Sequence, residues 1–290
     1  MRTWITPGRL AGLSALAVAG LGLAVLTYGQ GEPGSAEPSD EPTEAATQEP
    51  DSESISSPLA AVYFGQEALR ASIELAGPLV GIGTDRDWAC GTCHGYGAQG
   101  AENVPRLAGQ SAGYITKQLH DYASGRRQND NMRYIAEGLS AEEMAAVGQF
   151  YSSMNTSSTA KPQLNGDLER GQELALEGDW NLDVPACYSC HGSSAWGVGQ
   201  SFPALAGQHP SYLYTQLAGW KAGRRNNSPG RLMHSVASAL SDADMRSVAD
   251  FMATLPAPPA RQSTRLETPA PERLATSAQA DSQGGSDEHE

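Results

Sequence analysis

The feature that most constrains this chain is a pentapeptide that occurs twice, Cys90-Gly91-Thr92-Cys93-His94 and Cys187-Tyr188-Ser189-Cys190-His191. C-x-x-C-H is the attachment signature of c-type haem. Two thiols add to the two vinyl groups of one porphyrin, so they must lie a short turn apart. The histidine that follows reaches the iron as its proximal ligand. These motifs use all 4 cysteines of the chain. A zinc ribbon also has two C-x-x-C pairs, but usually ~15–20 residues apart, and here the gap is about five times larger with a His after each pair. A thioredoxin-like pair needs βαβ context, and no strand-rich pattern flanks either motif. Structural disulfides suit an exported protein but leave both histidines unexplained. The expectation is two covalently attached haem c groups, one on Cys90, Cys93 and His94, the other on Cys187, Cys190 and His191.

The two halves repeat one another. Pro105-Arg106-Leu107-Ala108-Gly109-Gln110 matches Pro203-Ala204-Leu205-Ala206-Gly207-Gln208. Then Tyr114, Ile115, Gln118, Leu119 and Tyr122 align with Tyr212, Leu213, Gln216, Leu217 and Trp220, each set on one face of a helix. Both helices end at Gly-Arg-Arg, Gly125–Arg127 and Gly223–Arg225, where Gly suits a left-handed cap. Turn-forming stretches, Gln128–Asn131 and Asn226–Gly230, lead to Met132 and Met233. Ser140 with Glu143, and Ser241 with Asp244, give capping-box patterns for a last helix. A first helix is expected near 59–76 and near 167–178. The fold class is therefore all-α, with two tandem small domains: a first at 59–155, a linker at 156–166 and a second at 167–256.

The flanks differ in kind. The formal charge of −14 over 290 residues is unevenly spread. Residues 31–58 carry eight acids and no Lys or Arg, whereas 59–260 hold nineteen acids and fourteen bases, a net of −5. Acidity excludes nucleic acid as a partner. Arg2 and Arg9 precede 19 uncharged residues, Leu10–Tyr28. A cleaved signal has about 7–15 apolar residues, a spanning helix about 20. Residues 1–28 are thus expected to be an uncleaved N-terminal membrane helix, with the arginines on the cytoplasmic side, and a soluble form after signal cleavage is the alternative. Residues 29–58, rich in Pro, Glu, Ser and Thr, read as a disordered acidic tether, and 257–290 as a disordered tail.

The ordered motifs, C-x-x-C-H-G, P-x-L-A-G-Q, a helix closing on a basic pair and a loop leading to Met, resemble the cytochrome c4 family of dihaem cytochromes c. The resemblance covers about residues 59–256. It departs around Gly77–Asp87, where the first half has about nine extra residues before its haem motif. It implies electron transfer in the bacterial periplasm without a substrate of its own, His94 and Met132 on one iron, and His191 and Met233 on the other. It also implies that the Pro105 and Pro203 carbonyls receive the histidine N–H.

Other ligand sets fare worse. Met144, Met154, Met245 and Met252 fall on apolar helical faces, as core filler does. His120, His209 and His234 have Ala, Ser and Arg as repeat counterparts, so no spare histidine serves both halves. Thiolate ligation needs a fifth cysteine. Arg126, Arg127, Arg224 and Arg225 either pair with haem propionates or mark solvated helix ends. Trp88, Tyr96, Trp180 and Trp196 read as packing aromatics. Saturated His/Met iron favours an electron carrier over an enzyme. The expected partners are redox proteins: a quinol-oxidising complex, a dehydrogenase or a terminal oxidase. The expected location is the periplasmic face of the inner membrane. A cytochrome subunit of a larger oxidoreductase is the alternative, and a dihaem peroxidase would need one five-coordinate iron.

Overall fold

The computed structural model describes residues 59–84 and 88–261. The expected membrane helix, the tether up to residue 58 and residues 262–290 lie outside the described residues. Among the described residues, no helix is long and apolar enough to cross a membrane.

The first half contains α1 (Ala60–Arg70), a single turn at Ile73–Leu75, α2 (Ala76–Gly81), α3 (Cys90–His94), α4 (Ala112–Ala123), α5 (Asp130–Glu137) and α6 (Ala141–Ser152). The expected helix over 59–76 is broken: Ala71 is extended, with ψ 146°. The extra residues of this half continue into α2, which buries Leu79 and Val80. The second half runs α7 (Leu168–Leu176), α8 (Cys187–His191), α9 (Pro210–Lys221), α10 (Leu232–Ala239) and α11 (Asp242–Thr254). The all-α expectation needs one amendment. Strands β1 (Gly178–Asp179) and β2 (Val184–Pro185) form a minimal antiparallel pair.

Local chemistry explains the boundaries. Both capping boxes are present, at Ser140/Glu143 and Ser241/Asp244, satisfying backbone donors that a helix start leaves unpaired. The loop expected before Met132 is shorter than its composition suggests. Asn129 accepts the Met132 N–H at 3.0 Å and starts α5 at Asp130, an N-cap followed by an acid where the helix dipole favours one. Met132 and Met233 therefore both stand in the first turn of a short helix.

The core divides into two clusters. One gathers Leu79, Val80, Ile115, Leu119, Met144, Val147 and Tyr151. The other gathers Leu174, Val184, Leu240, Met245, Val248 and Met252. Met144, Met245 and Met252 thus fill cores, as their helical spacing predicts. Close helix crossings rest on glycine: a Cβ on Gly113 of α4 would lie 2.2 Å from the Ala61 carbonyl of α1, and one on Gly171 of α7 2.2 Å from that of Ser247 on α11.

The stretch after α11 corrects the expected tail. Residues 257–261 are described, and they cross to the other half. The Arg261 N–H donates to the Ser152 carbonyl at 2.8 Å, and its Nε to the Gly109 carbonyl at 3.1 Å. The expected linker is docked as well: Ser158 Oγ donates to the Gly207 carbonyl at 2.6 Å. Its later part is held by Asp250.

Candidate functional site

Each C-x-x-C-H forms one short helix that ends in its histidine. His94 Nδ1 lies 3.0 Å from the Pro105 carbonyl, and His191 Nδ1 2.7 Å from the Pro203 carbonyl. A carbonyl only accepts, so Nδ1 carries the proton and Nε2 keeps its lone pair. Burial pushes both imidazole pKa values down, partly countered by these carbonyls, which favours the neutral ring. The four thiols form no disulfide. Burial raises the Cys90 thiol, and it pushes Cys187 up to about 11. Met132 is half-buried against the first core, and Met233 is half-buried with its N–H on Ser228 Oγ at 3.2 Å.

The spare histidines are structural. His120 stacks on Phe64 with ring centroids 4.5 Å apart. His234 Nδ1 meets the Trp220 carbonyl at 2.8 Å, and the buried His209 meets the Gln99 carbonyl at 2.9 Å. Among the aromatics, Trp196 anchors the chain after α11 by donating to the Pro256 carbonyl at 2.9 Å. Trp88, Tyr96 and Trp180 are exposed rather than packed.

The arginine pairs divide in a way neither expectation anticipated. Arg224 is exposed and Arg126 half-buried, but Arg127 and Arg225 are buried between the halves. They face each other across an antiparallel bridge. Arg127 donates to Gln118, Tyr212 and Gln216 at 2.8–2.9 Å. Arg225 donates to Gln216 at 2.8 Å and to Tyr114 and Gln118 at 3.2 Å. Each guanidinium also lies over an aromatic ring of its own half, Tyr122 at 4.7 Å and Trp220 at 4.0 Å, a cation–π arrangement. A second reciprocal contact joins Gln110 to Ala204 and Gln208 to Arg106. Sequence reasoning missed this seam, although its residues are the same repeat-matched pairs that revealed the duplication.

Two helical cores, each with a C-x-x-C-H helix and a histidine fixed by a proline carbonyl, define a tandem c-type cytochrome. Residues 168–256 match the family model for cytochrome c. The thiosulfate dehydrogenase electron acceptor of Thiomonas intermedia (strain K12) is 40% identical over 179 residues, 61% of this chain and 82% of the relative. Cytochrome c4 of Pseudomonas aeruginosa is 34% identical over 167 residues, 56% of this chain and 82% of the relative. Among solved structures, reduced cytochrome c4 from Pseudomonas stutzeri superposes with a TM-score of 0.57 at 29% identity, covering 64% of this chain and 99% of that one. Thiosulfate dehydrogenase (TsdBA) from Marichromatium purpuratum gives a TM-score of 0.62 at 37% identity, over 64% of this chain but only 40% of that one. The chain belongs to the cytochrome c4-like family of electron-transfer c-type cytochromes.

Membership brings covalent haem c, and the residues fit it. In each half, two unpaired thiols stand a helical turn apart beside a neutral imidazole whose Nε2 is left for iron. Met132 and Met233 stand at matching helix starts and are half-buried, whereas Met144, Met245 and Met252 are fully buried in the cores.

Proposed function

We propose that this chain carries two haem c groups and passes electrons singly from a thiosulfate-oxidising dehydrogenase to a further redox protein. The observation that carries the reading is the twofold occurrence of a neutral histidine, held by a proline carbonyl next to a thiol pair. When bound, each haem supplies a one-electron iron couple. The protein does the rest. Cys90 and Cys93, and Cys187 and Cys190, would hold the two porphyrins through thioether bonds. His94 and His191 would hold the irons through Nε2, each kept in one tautomer by its proline carbonyl, and Met132 and Met233 would supply thioether ligands. Thioether ligation raises the potential relative to a second histidine and leaves no position for a substrate. The donor assignment rests on the names of the relatives, one of which is an electron acceptor of thiosulfate dehydrogenase. Residues 1–28 would hold the domains at the periplasmic face of the inner membrane, and 29–58 would give them reach.

The match to 40% of a chain named thiosulfate dehydrogenase (TsdBA) favours a second reading. In it the chain is a cytochrome subunit docked on its dehydrogenase rather than a shuttle. The test of the main reading is a reductive titration with thiosulfate and a thiosulfate dehydrogenase, followed in the visible spectrum. Two electrons per chain are expected. Met132→Ala and Met233→Ala should each remove half of the weak far-red methionine–iron band. If neither variant changes that band, the ligand assignment is wrong. If reduction stops at one electron per chain, the two-haem reading is wrong.

A further inference from the structure

We infer that each half of the protein tunes the iron of the other half through a single glutamine, Gln208 acting on the His94 site and Gln110 on the His191 site. The inference rests on the reading of His94 and His191 as proximal ligands and concerns how their basicity is set.

The Pro105 carbonyl that accepts the His94 Nδ1–H and the Arg106 N–H belong to one peptide group. The carbonyl takes the histidine proton at 3.0 Å, and the N–H donates to Gln208 Oε1 at 2.8 Å. Gln208 lies in the second half. The mirror relay runs from His191 through the Pro203 carbonyl at 2.7 Å, and from the Ala204 N–H to Gln110 Oε1, also at 2.7 Å. Each glutamine is clamped by a return bond, Gln208 Nε2 to the Arg106 carbonyl and Gln110 Nε2 to the Ala204 carbonyl, both at 3.0 Å. Each Oε1 also takes a peptide N–H of its own half, that of His209 at 3.1 Å or Ser111 at 3.3 Å. Both side chains are buried, Gln110 at 7% and Gln208 at 5% exposure, so water does not replace these bonds.

Hydrogen bonds in series polarise one another, by roughly 10–30% per bond. An acceptor on the peptide N–H moves negative charge onto its carbonyl oxygen. That oxygen then pulls harder on the Nδ1 proton, the imidazole becomes a stronger donor to iron, and the oxidised state gains. Outer partners of a ligating histidine act in this way generally. Removing a glutamine should therefore raise the potential of the haem in the opposite half and leave its own half unchanged.

The experiment uses the intact holoprotein with Gln208→Leu and Gln110→Leu, titrated redox-step by redox-step while the haem methyl NMR signals of each half are followed separately. In Gln208→Leu the oxidised-to-reduced equilibrium of the Cys90/Cys93 haem should shift about threefold toward reduced iron, or about 28 mV at 59 mV per decade. Gln110→Leu should do the same to the Cys187/Cys190 haem. A shift confined to the variant's own half, an equal shift of both haems, or none with both haems attached and low-spin overturns the inference. A haem that remains bound and low-spin without His94 or His191 overturns instead the ligand reading beneath it. Gln208→Asn and Gln110→Asn keep an amide but draw it back from the peptide by one methylene. They answer the same question if the leucine variants do not fold.

Discussion

Asp250 offers the sharpest test of how the second half is held together. It sits on α11, 1% exposed, and its carboxylate gathers the end of the segment that joins the halves. Oδ1 accepts from the N–H groups of Gln163 and Leu164 at 2.8 and 3.1 Å, and Oδ2 from Leu164 and Gly166 at 3.0 and 2.9 Å. Hydrogen bonds to a charged acceptor contribute ~1.5–3 kcal/mol each. Asp250→Asn keeps the shape but turns one acceptor into a donor. It loses Gly166 and one Leu164 contact, sets N–H against N–H, and leaves two bonds of neutral strength. The expected loss is about 3 kcal/mol. For a folded unit of ~150–250 residues that is a melting-point drop of about 6–12 °C. Calorimetry on the holoprotein reads the drop, and amide exchange should accelerate first at Gln163, Leu164 and Gly166. A drop below about 2 °C, or exchange that accelerates uniformly, would refute the view that this carboxylate pins the connection.

Arg170 binds Asp179 at 2.6 Å and Asp244 at 2.8 Å, and both carboxylates are held below their usual range. For Asp179 the main cause is the Arg170 hydrogen bond; for Asp244, burial pushes upward but is outweighed by Ser241 and Arg170. A carboxylate with a depressed folded value stabilises above its ordinary value near 4 and loses that contribution as pH falls through the depressed one. The stability gap between wild type and Arg170→Met, read by urea unfolding, should be full near neutral pH and close on acidification below about pH 4; a gap independent of pH would contradict it. Leu174 is 1% exposed in the second core, and Leu174→Ala should cost about 3 kcal/mol through lost transfer energy and the cavity left behind. Less than about 1 kcal/mol in the same assay would mean the site collapses freely.

What the sequence makes legible is whatever is written in local spacing. The C-x-x-C-H motifs, the helix faces carrying Ile115 and Leu213, and the Ser140 and Ser241 caps all rest on contacts within a few residues. The repeat-matched methionines stand out because the duplication supplies two readings of one pattern. The seam is not local. Gln110, Gln208, Arg127 and Arg225 look like turn and helix-end residues, and the partners they reach in the other half lie 85 to 111 positions away. Nothing in hydrophobic periodicity marks a buried polar contact. Residues 257–261 misled for the same reason. Pro and Ala without helical spacing read as disorder, yet their order comes from Gly109, Trp196 and Ser152 in other parts of the chain.

The seam also has a bearing on origins. Tyr114 meets Arg225 as Tyr212 meets Arg127, and Gln110 meets Ala204 as Gln208 meets Arg106. A contact in which patch i touches j while j touches i is the isologous geometry of a twofold homodimer. A single ancestral domain with these residues would already have been complementary to a second copy of itself. Joining two copies in one polypeptide required no new surface. It converted a concentration-dependent encounter into an intramolecular one, with an effective concentration in the millimolar range typical of short connections. Once fused, the two copies were free to diverge. Divergence shows in α2 of the first half and the β1–β2 pair of the second, and at the seam itself, where Asn227 donates to Gln118 and Asp121 although the position matching Asp121 is Gly219.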